Sequence, residues 1–330
     1  MRTMIDRIAG ITLGAMLLLM LPIPASAQLE QLMNPTLGQV MPRAEYRYTF
    51  YPERDVEGQS ARFGVTEHRV SLTTPIHQNS TDEFSLSASV KFQDVDTHAI
   101  FPHTGDQFPK NLWDIRLSPA SRHQFENGWS AGVAIIAGPA SDEPFNSEHE
   151  LIVRATSFLR VPSGERNAWI FMLNYTNVSD FLGGIPLPGL AYVYSPSDTF
   201  TAVIGLPFTI VQAKPAEKLE LEFMYTAIQR IRARATYAIF RPLRVWTGFE
   251  WDYDVYLRAD RQDYHDRLFY YEKRLGGGVR FDLRHIGFEV AGGYAFDRFY
   301  FEADSYSNRD RNRLDVGNAP FVVGRINVRF

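Results

Sequence analysis

The sequence predicts an all-β protein: a transmembrane antiparallel up-and-down β-barrel of about 14–16 strands, following a cleaved signal peptide. Three observations predict it. The chain starts like an exported protein. Polar and apolar residues then alternate in runs long enough to cross a bilayer. The last strand ends on an aromatic residue with nothing behind it.

The start, "MRTMIDRIAGITLGAMLLLMLPIPASAQ", has an arginine-bearing head, an apolar stretch from Ile8 to Leu21, and small residues at Ala25 and Ala27. This pattern predicts a secretory signal peptide over residues 1–27, cut after Ala27. Pro22 and Pro24 interrupt the apolar run, which is too short for a membrane anchor. The 330 residues include no cysteine, which excludes disulfides and thiolate metal sites or nucleophiles. Gln28 stands where a lipoprotein would need cysteine. A net charge of −4 argues against nucleic acid as a partner. Residues 28–42 are expected to form a short periplasmic lead-in, and residues 43–330 the barrel.

"EFSLSASVKFQ" sets Phe84, Leu86, Ala88, Val90 and Phe92 on one face and Glu83, Ser85, Ser87, Ser89, Lys91 and Gln93 on the other. "KLELEFMY", "RIRARATYAI", "RVWTGFEWDYDVY" and "HIGFEVAGGYAF" alternate in the same way. Strands of soluble sandwiches average about five or six residues. Membrane strands need about 9–11, and several runs here reach that length. An aromatic content of 14% fits the girdles of such barrels.

Link lengths order the strands. "SPSD", "KPAE" and "FRPLR" are tight, proline-bearing turns of periplasmic type. "THAIFPHTGDQFPK", "NVSDFLGGIPLPG", "RADRQDYHD" and "DSYSNRDRNRLDVGN" are long and polar, as external loops are. The two kinds alternate back from the chain end provided that a short strand fills Pro207 to Ala213. The count is then about sixteen, with fourteen as the alternative because Leu187 to Ala213 is weakly patterned.

The final "GRINVRF" alternates Ile326, Val328 and Phe330 with Arg325, Asn327 and Arg329. A carboxyl-terminal Phe on such a strand resembles the terminal signal of bacterial outer-membrane proteins, read by the barrel assembly machinery. The stretch "GIPLPGLAYVYSPSDTFTAVIGLPF", with "KLELEFMY" and "DRLFYYEKRLGGGVRF", resembles an uncharacterised family of bacterial outer-membrane β-barrel proteins. The resemblance covers roughly Asn174 to Phe281. It implies the fold, a Gram-negative outer membrane and contact with its lipid. It implies no substrate, catalytic residue or cofactor.

Chemistry concentrates on the polar faces. If Arg241-Pro242-Leu243 is a turn that sets Phe240 against Arg244, Arg234 falls beside Glu250, Arg232 beside Asp252 and Arg230 beside Asp254. Glu220 and Glu222 flank the same arginines from the other side. Arg274, Arg280, Glu289, Arg325 and Arg329 extend this wall, with Lys218 at its edge. Facing charge rows suit a narrow porin-like channel that passes small polar or ionic solutes. Mutual pairing equally suits a closed structural or surface-interaction barrel. A barrel hydrolase is the third reading, and a non-enzymatic barrel is preferred to it. Asp114, Ser118, Ser121 and His123 lie close in sequence, but alternation turns Ser118 inward and Ser121 outward. No GxSxG nucleophile motif is present. Gly276, Gly277 and Gly278 lack the phosphate-loop pattern and are expected to allow bending or close packing. "SNRDRNRLDVGN" lacks the glycine and glutamate spacing of a calcium loop. His98 and His103 share a loop region with Asp94, Asp96 and Asp106, where a solvated loop is favoured over a cation site. No metal and no cofactor are expected.

Overall fold

The computed structural model describes residues 36–178, 184–226 and 230–330. The signal-peptide reading therefore falls outside the described residues. The strands are β1 Arg43–Asp55, β2 Arg62–Gln78, β3 Asp82–Thr97, β4 Asn111–Gln124, β5 Ser130–Ser141 and β6 Leu151–Ser163. They continue as β7 Asn167–Thr176, β8 Leu187–Ser197, β9 Phe200–Leu206, β10 Phe208–Ala216, β11 Leu219–Thr226 and β12 Arg230–Phe240. The last are β13 Leu243–Tyr256, β14 Arg267–Asp282, β15 Ile286–Ala303, β16 Arg313–Val316 and β17 Ala319–Arg329.

From β1 to β15 each strand pairs antiparallel with the next, and β17 pairs with β1 from Arg43↔Arg329 to Phe50↔Val322, closing the ring. β16 and β17 both pair with β15, at Arg298–Phe301 and Ile286–Ala295 respectively, so together they form one stave. The result is a closed barrel of sixteen staves. The weakly patterned region holds three strands, β8 to β10. The short strand expected from Pro207 runs instead from Phe208 to Ala216. Part of "DSYSNRDRNRLDVGN" is strand too, because Arg313–Val316 pairs with the end of β15.

One end of the barrel carries the short turns, including residues 198–199, 217–218 and 241–242; the other carries the loops 98–110, 257–266 and 304–312. The wall is uneven. β13, β14 and β15 have 14, 16 and 18 residues, whereas β9, β10 and β11 have 7, 9 and 8. The outer face is an exposed apolar surface, with Val70, Leu72, Leu117, Ile135, Phe171, Leu190, Ile204, Leu275, Val290 and Val322 among its residues. Near the loop end, on the outside, Phe269 stacks on Phe301 and Tyr271 on Phe299, both at 4.5 Å, with Tyr306 laid against them.

Two devices fix the interior. A bulge at Asp297, whose φ is +54°, adds one residue to β15, so that Phe296 and Phe299 both face out while Arg298 faces in. Gly248, Gly276 and Gly293 face one another across β13, β14 and β15. A Cβ on Gly276 or Gly293 would come within 2.9 or 2.8 Å of the Phe321 ring. The glycine run is therefore packing space for aromatic side chains, as the sequence suggests.

The described residues contain no helix long and apolar enough to cross a membrane, which says nothing about crossing by strands.

Candidate functional site: the ion-paired lumen

Alternation and register turn one face of every stave into the lumen. On β12 and β13 the inward residues are Arg230, Arg232 and Arg234 and Glu250, Asp252 and Asp254. Their pairing differs from the sequence expectation by two residues. Arg241 and Pro242 alone form the turn, Phe240 pairs with Leu243, and the register shifts between Ala238 and Phe240. Arg232 is consequently opposite Glu250, and Arg234 opposite Gly248. Arg232 Nε lies 3.1 Å from Glu250, and Arg230 Nη2 lies 2.6 Å from Asp252. Freed from Glu250, Arg234 stacks on Trp246 at 4.1 Å and reaches Glu289 on β15 at 3.1 Å.

The acidic row on β11 takes less part than the sequence suggests. Glu222 sits at the register position of Arg234 and is exposed. Glu220 lies opposite Thr236 and turns to Lys214 at 3.1 Å. The third side of the ladder is β14. Arg274 contacts Glu250 at 2.6 Å, Glu272 at 3.3 Å and Asp252 at 3.6 Å. Glu289 also meets Arg325 at 3.5 Å, and Arg325 meets Glu45 at 3.5 Å. Arg280 holds Asp282 at 2.8 Å near the turn end. Arg329 is opposite Arg43, and its N–H donates to the His285 carbonyl at 2.8 Å.

The decisive contacts run across the barrel. Asp254 is 2.8 Å from Lys91 on β3, six staves away. Tyr256 OH donates to Gln93 Oε1 at 3.3 Å over the same gap. At the loop end, Leu257 N–H donates to the Ala140 carbonyl at 2.7 Å, joining the ends of β13 and β5 on opposite sides of the ring. Asp114 pairs with Arg116 beside Lys91. Lys91 is 3% exposed.

Above this belt, towards the loops, the lumen is filled by a core. Loop 98–110 folds inward and buries Phe101 and Phe108. Phe108 meets Phe63 at 4.9 Å and Tyr300 at 4.8 Å, both edge-on. Arg258, 1% exposed, ties the loops together through Glu302 at 3.1 Å, Asp260 at 2.7 Å and Asp106 at 3.6 Å. Below the belt the inward side chains of β2 to β4 include small ones, Ser71, Thr73, Ser87, Ser89 and Ser118, and, nearer the turns, the buried Glu83–Arg122 ion pair at 2.9 Å, with Gly38 N–H donating to Glu83 at 3.2 Å.

The inward residues Arg47, Glu67, Arg69, Lys91, Asp114 and Arg154 belong to the belt and were missed as site residues. Their signal was charge on the polar face of an alternating strand: Arg47 follows Glu45, Glu67 precedes Arg69 and Asp114 precedes Arg116 two residues apart, while Lys91 stands among serines. The belt leaves two cations over. Arg47 and Arg154 are 9% and 7% exposed, and neither has an ion pair within 4 Å among the described residues.

On the outer face at the turn end, His123 Nδ1 lies 2.8 Å from Asp82 Oδ1. Ser121 shares that face, and Ser118 points to the lumen. Among the described residues no group of three or more His, Asp or Glu side chains is gathered as a metal ion requires. Asp106 is engaged by Arg258 instead.

No family model and no curated protein matches the chain. Solved structures with a similar arrangement are barrels. One is an outer-membrane channel from Pseudomonas putida F1, with 12% identity, TM-score 0.37, and coverage of 90% of this chain and 98% of that one. A mutant porin of Rh. blastica has 11% identity, TM-score 0.38, and coverage of 88% and 99%. A FadL homologue of Pseudomonas aeruginosa has 13% identity, TM-score 0.34, and coverage of 88% and 89%. At such identities and scores the likeness carries no argument about activity.

Proposed function

We propose that this chain is a bacterial outer-membrane barrel of porin-like build whose lumen is closed, serving as a structural or surface-interaction barrel and not as an open pore or an enzyme. The apolar outer face and the closed ring support the membrane location, since a closed barrel leaves no unpaired sheet edge in lipid. The observation that carries the closed reading is the Lys91–Asp254 pair at 2.8 Å between walls six staves apart. Belt, aromatic core and inward loop lie in series along the axis. A solute would have to break several buried ion pairs and displace Phe101 and Phe108. Passage of small polar or ionic solutes, the second reading, has one support of its own: the small hydroxyl side chains Ser71, Thr73, Ser87, Ser89 and Ser118 on the inward face below the belt. Planar-bilayer recording tests the choice. The purified protein should give no stable open current at low applied voltage. A steady ohmic conductance from correctly folded protein would overturn the closed reading in favour of the channel.

A further inference from the structure

Mid-lumen, beside the Lys91–Asp254 pair, lies an enclosed space of about 20 Å³. A space of this size admits about one water-sized species. Arg47, Arg69, Arg274 and Tyr300 are in its lining. Each contributes a buried polar atom with no hydrogen-bond partner: the three Nε–H groups and the Tyr300 hydroxyl. The lining carboxylates are already engaged. Asp252 is held by Arg230, Asp254 by Lys91, and Glu272 accepts from Tyr51 at 2.8 Å and Tyr270 at 2.6 Å. The three Nε–H groups can only donate and the Tyr300 hydroxyl can also donate, so an acceptor satisfies all four.

Charge points the same way. Arg274 has three carboxylates around it, and Arg69 has Glu67 at 3.6 Å. Arg47 has none within 4 Å, although it is 9% exposed. A buried guanidinium without a counter-charge is costly. A water accepts two hydrogen bonds and leaves that charge unbalanced. A monoanion of halide size accepts all the donors and balances it.

We infer that this lumen cavity is a binding site for a small monoanion of halide size, held by Arg47, Arg69, Arg274 and Tyr300. The anion is a keystone that completes the ion-paired belt. The site stands whether or not the lumen conducts.

Anomalous diffraction from crystals soaked in bromide is the direct test. A bromide peak in the cavity, within hydrogen-bond reach of Arg47, Arg69, Arg274 and the Tyr300 hydroxyl, is the expected result. No peak there overturns the site, even if bromide appears elsewhere on the protein. In solution, Tm in detergent should rise with chloride and level off, relative to gluconate at equal ionic strength. Arg47→Gln should abolish that chloride-specific rise. Should Arg47→Gln fail to fold, Tyr300→Phe carries the comparison: it removes one donor and should weaken apparent chloride binding severalfold. A chloride response identical in wild type and Tyr300→Phe would also overturn the assignment.

Discussion

Phe249 and Glu250 are adjacent in the chain and face opposite media. Phe249 lies on the outer face beside Phe296, and Glu250 is held in the lumen by Arg232 and Arg274. An arginine at the lipid-facing midplane of a barrel costs about 2–4 kcal/mol. Phe249→Arg should therefore lower the unfolding free energy in bilayers by about that amount. Glu250→Arg removes a carboxylate from two arginines and adds a third cation, so it too destabilises, through repulsion. Raised salt should relieve the lumen variant and not the lipid-facing one, because exposed parts of an ion network are screened and hydrophobic transfer is not. Equal salt responses would show that the two side chains do not face different media. A glycine provides a second test at this scale. A Cβ on Gly138, whose φ is +157°, would stand 1.8 Å from the Ile115 carbonyl oxygen, whereas nothing lies within 4 Å of one on Gly324. Gly138→Ala should cost about 2 kcal/mol or more, as overpacking and strain do. Gly324→Ala should stay within about 0.5 kcal/mol. Denaturant midpoints of the two variants in detergent decide it.

The β12–β13 hairpin marks what could and could not be read from residues alone. Alternation fixed which face each side chain takes, because a strand has period two whatever its partner does. Hence Arg230, Arg232, Arg234 and Glu250, Asp252, Asp254 were legible as one polar wall. Their pairing was not. The two-residue turn and the irregularity near Ile239 each shift the register by one residue, and the sum of two keeps the faces and changes every partner. The cross-lumen ties of Lys91 and Tyr256 were beyond reach for a different reason: they depend on the stagger of all sixteen staves. Inward folding of loop 98–110 depends on apolar residues, Phe101 and Phe108, placed within an otherwise polar loop. The corrected register makes a prediction that the expected one does not. Arg234 now serves Glu289, which is 2% exposed, while Arg232 serves the more open Glu250. Breaking a buried pair costs about 3–5 kcal/mol, and exposed pairs contribute about 0.2–1. Arg234→Gln should sit near the lower end of the first range, since Arg325 still faces Glu289. Arg232→Gln should cost about 1 kcal/mol. Equal losses, or the reverse order, in matched unfolding measurements would restore the pairing of Arg234 with Glu250.

For the whole molecule, the seam between the first and last staves decides whether a ring exists. β17 meets β1 along eight residue pairs and β15 along ten. The seam is thus as well made as an ordinary hairpin, and the last residue adds little to it. Phe330 N–H donates to the Pro42 carbonyl at 3.0 Å, but its side chain is 69% exposed on the outer face. A ring so exposed contributes little to packing in the finished barrel, and an N–H···O bond needs no aromatic side chain. The role left to test for the side chain is one before closure, when the strand is still an edge. Phe330→Ser should leave the Tm of protein refolded in detergent within a few degrees of wild type, since a surface change is worth about 0.5 kcal/mol or less. In cells, the same substitution should sharply reduce the heat-modifiable barrel recovered from the outer membrane, while the exported chain still reaches the periplasm. Fractionation of cells and melting of the refolded protein are measured on one variant. Normal membrane levels would remove any assembly role for the ring. A matching loss of Tm would assign it to stability of the closed barrel.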